Sequence, residues 1–211
     1  MKLLLVGATG LVGSHALRLA LDDSRITQVT SPVRRALPLA HHKLRAPIVD
    51  YEALPTDADW WQVDAVICAL GTTMKVAGSE AAFHRVDHDY PLAVARLAHH
   101  HGTPTYVLNS ATGADANSRF FYNKVKGELE RDLAEVGFSS LAYARAGLIG
   151  GARTESRPME RVAISVLGAL GPVLPRRLRV CPPQNIARVM IESAIQARPG
   201  VHIIPSTAMT Q

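Results

Sequence analysis

Tyr122 and Lys126 stand four residues apart in a stretch, 119–136, that reads as a helix, so their side chains share one face. Ser110 comes twelve residues before Tyr122, just past a strand expected over 104–109. These residue types suit proton transfer to a carbonyl that is accepting a hydride. A tyrosine hydroxyl, with an ordinary pKa of about 10, is a weak base near neutrality. A neighbouring ammonium stabilises tyrosinate, and each unit of lowering corresponds to about 1.36 kcal/mol. Ser110 can donate a hydrogen bond to the same substrate oxygen. Taken singly, Ser110 also reads as a turn residue and Tyr122–Lys126 as a solvated helical pair. Their occurrence in one chain with a glycine loop favours the chemical reading.

That loop is Gly7-Ala8-Thr9-Gly10-Leu11-Val12-Gly13, which follows an apolar strand at 2–6 and opens a helix over 11–22. A tight turn here needs backbone angles open to glycine, and a pyrophosphate needs to approach the main chain without a Cβ in the way. The N–H groups at the helix start then face the phosphates. The spacing is GxxGxxG rather than GxGxxG, and its place between strand and helix distinguishes it from a plain turn. Gly7, Thr9, Gly10, Leu11 and Val12 are the expected contacts. After the second strand, where an acidic residue would take a ribose 2′-OH, the chain offers Ser31-Pro32-Val33-Arg34-Arg35. Arg34 and Arg35 suit a 2′-phosphate, which favours NADP(H) over NAD(H).

The elements that must position these residues alternate. Strands are expected at 2–6, 26–33, 44–49, 64–70, 104–109, 140–146 and 201–204, and helices at 11–22, 79–101, 119–136, 158–168 and 184–197. Such alternation implies right-handed βαβ units and an α/β fold with a doubly wound parallel sheet, whose ligands lie beyond the C-terminal strand ends. One domain over 1–211 is expected, with a variable segment at 150–181 covering the substrate.

With these motifs in place, the chain resembles the extended and atypical short-chain dehydrogenases/reductases, a Rossmann-type family. Cys68-Ala69-Leu70-Gly71-Thr72-Thr73, Arg85-Val86-Asp87-His88-Asp89-Tyr90, Val125-Lys126-Gly127-Glu128 and Glu155-Ser156-Arg157-Pro158 are similar to its Tat-interactive-protein group. The resemblance implies that Asp50 and Tyr51 lie at the adenine. It implies that Leu70 and Gly71, with Thr72 beside them, pass the cofactor ribose and pyrophosphate, and that Tyr122 and Lys126 hold the nicotinamide ribose. The chain departs from the group at Arg145-Ala146-Gly147, where relatives often carry Arg-Pro-Gly.

Composition sets the remaining expectations. The formal net charge is +5. Arg153, Arg157, Arg161, Arg176, Arg177, Arg179 and Arg188 are opposed over that stretch only by Glu155 and Glu160, a basic face for an anionic substrate or an acidic protein partner, or simply a solvated surface. No nucleic-acid reader motif accompanies it, and no apolar run is long enough for a membrane span. Two cysteines, Cys68 and Cys181, make no disulfide framework and point to a reducing cytoplasm. His84 and His88 stand four apart, but no spacing supplies a third ligand, so no metal site is expected. Trp60-Trp61 is expected to cover the sheet edge. The functional expectation is an NADP(H)-dependent oxidoreductase acting on a small carbonyl or alcohol, as a monomer or homodimer. The alternative is a regulatory protein that senses NADP(H) with little or no catalysis, its partner contacting 153–179. A sugar-nucleotide epimerase is disfavoured because 211 residues leave little room for a separate substrate domain.

Overall fold

The first strands form from apolar runs that lose water on both sides. In the computed structural model, which describes residues 1–150 and 180–210, β1 (Lys2–Val6) sends Leu3 and Leu5 into one core and Leu4 and Val6 into another. β4 (Ala65–Cys68) divides its residues the same way, Ala65 and Ile67 against Val66 and Cys68. Burial on both faces requires helices above and below, the usual condition of a parallel sheet. The other strands are β2 (Gln28–Thr30), β3 (Leu44–Arg45), β5 (Thr105–Ala111), β6 (Ser140–Ala146) and β7 (Gly200–Pro205). The seven lie in the order β3-β2-β1-β4-β5-β6-β7, and every pairing is parallel.

On one face, α1 (Leu11–Asp22) packs Val12, Ala16 and Ala20 beside Ile186 and Met190 from the helix Pro183–Gln196. On the other lie two short helices, α2 (Met74–Ala77) and α3 (Glu80–His84), then α4 (Tyr90–His100) and α5 (Phe121–Ala134). Val94 and Ala95 of α4 join Leu129 and Leu133 of α5 in that core. The helix Pro183–Gln196 is α6. This is the doubly wound Rossmann architecture the alternation implied. The chain turns back between β1 and β4, so a crevice opens at their C-terminal ends.

Several boundaries differ from the sequence-based expectation. Pro32 and Pro47 lack amide hydrogens, and the second and third strands shorten to β2 and β3, continued only by a bridge between Val33 and Ile48. β5 runs on through Ala111, so Ser110 lies inside it, paired in register with Arg145 of β6. The single helix expected over 79–101 is broken. Ser79 caps α3 by accepting the Ala82 N–H, but a π turn over Arg85–Asp89 separates α3 from α4. Pro91 explains the break: it has no N–H to give to residue 87, and its ring would clash with that carbonyl in a regular helix. Trp60 and Trp61 are buried in the core on the α4–α5 face rather than laid over an edge. The helix expected at 158–168, with the basic segment 153–179 and most of 150–181, lies outside the described residues.

Candidate active site

The crevice holds a cleft of about 110 Å³, partly open to solvent. Its floor is the glycine turn Gly7–Gly10, and its walls are Pro32, Val33 and Arg34 after β2 and Ala69–Gly71 after β4. Two glycines make the floor possible. Gly7 has φ +84°, and a Cβ there would stand 2.5 Å from the Ala69 carbonyl carbon. A Cβ on Gly13 would come within 2.0 Å of the Gly7 oxygen, so only glycine lets α1 dock on the turn. Helix α1 begins at Gly10 with no side-chain cap and no acidic residue in its first turn. Its positive end is left for an anion. The shape and donors of this cleft fit a dinucleotide's phosphates.

Not every expected contact is placed alike. Thr9 and Gly10 line the cleft, as do Leu70 and Gly71. Val12 points into the core, so it can offer only its backbone. Arg34 lines the cleft; Arg35 is exposed beside it and is not among the lining residues. Tyr51 lines the cleft with its hydroxyl donating to the Pro32 carbonyl at 3.0 Å, and burial pushes its phenol above the ordinary range. Asp50 instead accepts the Glu52 N–H at 2.9 Å within its own turn. Tyr90, missed in the sequence, adds a second ring 5.5 Å from Tyr51; burial and then Glu52, which accepts its hydroxyl at 2.6 Å, push it up to about 12.

The residues with chemistry follow one face of α5, at positions 122, 126 and 130. Tyr122, in the first turn, is 45% exposed, its ring edge-on to Phe83. Lys126 is buried, and its Nζ stands 2.8 Å from the equally buried Asp87 Oδ1. Burial is the largest influence and would by itself lower the lysine, but the charge and hydrogen bond of Asp87, with Tyr122 and Cys68 adding to them, together hold the ammonium above its ordinary value. Asp87 Oδ2 also accepts the Thr72 N–H at 2.7 Å, and a Cβ on Gly71 would lie 3.2 Å from Asp87 Oδ1. The π turn therefore ties the lysine of α5 to the segment after β4 that walls the cleft. One turn further along, Glu130 accepts the Ser110 hydroxyl at 2.5 Å and a two-pronged contact from Arg145, whose Nη2 lies 2.5 Å from Oε2. Ser110 is buried and its donor hydrogen is directed at Glu130. Neither Asp87 nor Glu130 was singled out in the sequence. Next to Ser110, the Oδ1 of Asn109 is a buried acceptor without a hydrogen-bond partner among the described residues.

Solved structures place the architecture in a class. The fold matches MoeE5 in complex with UDP-glucose and NAD at a TM-score of 0.72 and 17% identity, over 97% of this chain and 75% of that one. It also matches a short chain dehydrogenase family protein from Francisella tularensis at a TM-score of 0.64 and 13% identity, over 100% and 99% of the two chains. The class is the short-chain dehydrogenase/reductase fold. The protein fmp52, mitochondrial, of Emericella nidulans is 38% identical over 178 residues, 80% of this chain and 76% of that protein. HTATIP2 of Rattus norvegicus is 38% identical over 170 residues, 79% and 70% of the two. The chain belongs to the Fmp52 and HTATIP2 family, an NAD(P)-binding group of short-chain-dehydrogenase-like proteins. No protein-family model matches it.

The relatives correct one expectation. Cytoplasmic location does not stand, because Fmp52 proteins of several fungi are named as mitochondrial. The thiols that suggested it are both buried, and a shielded thiol stays reduced without reporting a compartment. Among the described residues no helix is long and apolar enough to cross a membrane.

Proposed function

We propose that the chain is an NADP(H)-dependent reductase or dehydrogenase of a small carbonyl or alcohol. The observation that carries this reading is the contact chain Lys126–Asp87–Thr72, which fixes a buried ammonium one helical turn from Tyr122 at the edge of the glycine-turn cleft. The nicotinamide, when bound, supplies or takes the hydride. Tyr122 donates the proton to the carbonyl oxygen as negative charge builds there and takes it back in the reverse direction. Lys126 holds the phenolate form. Ser110 reaches the same oxygen only by turning its hydrogen away from Glu130, which keeps the Arg145 guanidinium when it does so. Arg34 takes the 2′-phosphate at the cleft wall.

The first test is calorimetric titration of NADPH and NADH. Arg34→Ala is expected to weaken NADPH about 10- to 100-fold, the worth of one or two charge-assisted hydrogen bonds, and to leave NADH unchanged. Equal binding of both nucleotides before and after the substitution would remove the NADP(H) preference. In a carbonyl-reduction screen, Tyr122→Phe is expected to lower kcat about 10²- to 10⁴-fold with little change in cofactor affinity. Undiminished turnover would take Tyr122 out of the mechanism.

A second reading draws on the same contacts. The Ser110 hydrogen is engaged by Glu130 and the Lys126 charge is balanced by Asp87, an arrangement suited to a cofactor-dependent binding protein with little turnover. Protein capture that changes with added NADPH, together with inactivity on every carbonyl tested, would favour it.

A further inference from the structure

We propose that His84, His88 and Asp89 form a binding site for a divalent transition ion of the zinc class. One ligand atom from each lies within 4.8 Å of the other two. The Nδ1 atoms of His84 and His88 approach the same Asp89 oxygen, Oδ1, at 3.1 and 2.8 Å. Ligand atoms around a tetrahedral zinc, each about 2.0–2.1 Å from the metal, stand roughly 3.3 Å apart. The two separations from Asp89 Oδ1, 3.1 and 2.8 Å, already lie close to that spacing.

The π turn creates the cluster. In an α-helix residues 84 and 89 would be about 140° apart around the axis. In a π turn residue i+5 comes over residue i, and the Tyr90 N–H bonds to the Arg85 carbonyl in that pattern. The side chain of Asp89 thereby joins the two histidines that i, i+4 spacing already placed on one face.

The outer contacts are those of ligated imidazoles. His88 Nε2 stands 3.0 Å from Asp132 Oδ2, and His84 Nε2 stands 3.8 Å from Glu128 Oε2. The hydrogen-bonded carboxylate at the far nitrogen of His88 fixes that ring's orientation, as outer carboxylates do for ligating histidines, while Glu128 lies just beyond hydrogen-bond reach of His84. The two rings lie close together, their centroids 4.4 Å apart. The surrounding charges agree: Asp89, Glu128 and Asp132 are opposed by Lys124, 3.9 Å from Glu128, and Arg131, 2.8 Å from Asp132. Three carboxylates against these two cations leave one negative charge in excess. The Asp89 and His84 side chains are 53% and 37% exposed, so a fourth position is open to solvent or to another ligand.

Full-length protein stripped with a chelator is titrated with Zn²⁺ against a chromophoric competitor, and with Co²⁺ while the visible absorption of tetrahedral cobalt is followed. One equivalent is expected to bind. Asp89→Asn, at an exposed position that should leave folding intact, and His84→Gln are each expected to weaken it at least about 100-fold. Asp132→Asn should weaken it about 10- to 100-fold. Failure of the wild-type chain to bind either ion overturns the proposal. So does binding that Asp89→Asn and His84→Gln leave unchanged, which would put the ion on other histidines, such as His99-His100-His101.

Discussion

Lys126→Met is expected to lower the unfolding free energy by about 3–5 kcal/mol, far more than the loss of a surface charge. The substitution leaves Asp87 buried with a full charge and only the Thr72 N–H to answer it. For a chain of this length the loss corresponds to a fall in Tm of roughly 10 °C, measurable by calorimetry or circular dichroism. Asp87→Asn combined with Lys126→Met removes both charges and should recover much of the deficit, as charge removal in pairs is far better tolerated than removal of one partner. A double variant no more stable than Lys126→Met would show that the ion pair is not the source of the loss. The pH dependence has a definite sign. The folded-state value of Lys126 is raised above its ordinary 10.5, so its contribution is complete below that pH and is lost only as pH rises through the higher value. Lys126 should therefore add nothing to acid or neutral pH sensitivity. It also bears on the proposed mechanism: a dead Lys126→Met enzyme could be dead through unfolding, and only the folded double variant separates the two causes.

Gly13→Ala is expected to cost at least about 3 kcal/mol and to abolish nucleotide binding, whereas Gly10→Ala should fold and still bind poorly. The added methyl at Gly13 meets backbone at 2.0 Å, and no rotamer change relieves a clash with the Gly7 carbonyl. Helix α1 would have to lift off the turn. At Gly10 the backbone is extended, at φ −78°, and the nearest atom to a Cβ lies at 3.3 Å, so the strain is small. The methyl there projects beside the cleft that Gly10 lines. Denaturant titration paired with nucleotide titration separates the two: loss of stability for the first, loss of affinity at near-normal stability for the second. Normal nucleotide binding by Gly10→Ala would mean that the phosphates do not approach the turn.

These contrasts mark what the sequence could and could not carry. The turn Gly7–Gly13 was legible because its need is local: a strand end, a helix start and glycines between them. Tyr122 and Lys126 were legible as a pair because helical spacing alone sets their shared face. Their partners were not. Asp87 of the π turn meets Lys126 of α5, and Glu130 of α5 meets Ser110 of β5, and no spacing in the chain encodes a contact between separate elements. One signal was available. Pro91 inside an apparent helix marks a break one turn earlier, and that break is the π turn that holds Asp87 and brings Asp89 to the histidines. Asp50 shows the opposite limit: an acidic residue correctly placed after the third strand turns its carboxylate to a local amide rather than to the cleft.

Cys68 and Cys181 are both fully buried, and burial raises each thiol above its ordinary value, which keeps them from forming the reactive thiolate. The chain has no other cysteine. It is therefore ready for site-specific labelling without first removing native thiols. Phe120→Cys, at a position 75% exposed and two residues before Tyr122, would carry a fluorophore at the mouth of the proposed site. A probe attached there reports nucleotide entry from its emission alone, in a protein whose substrate need not be known.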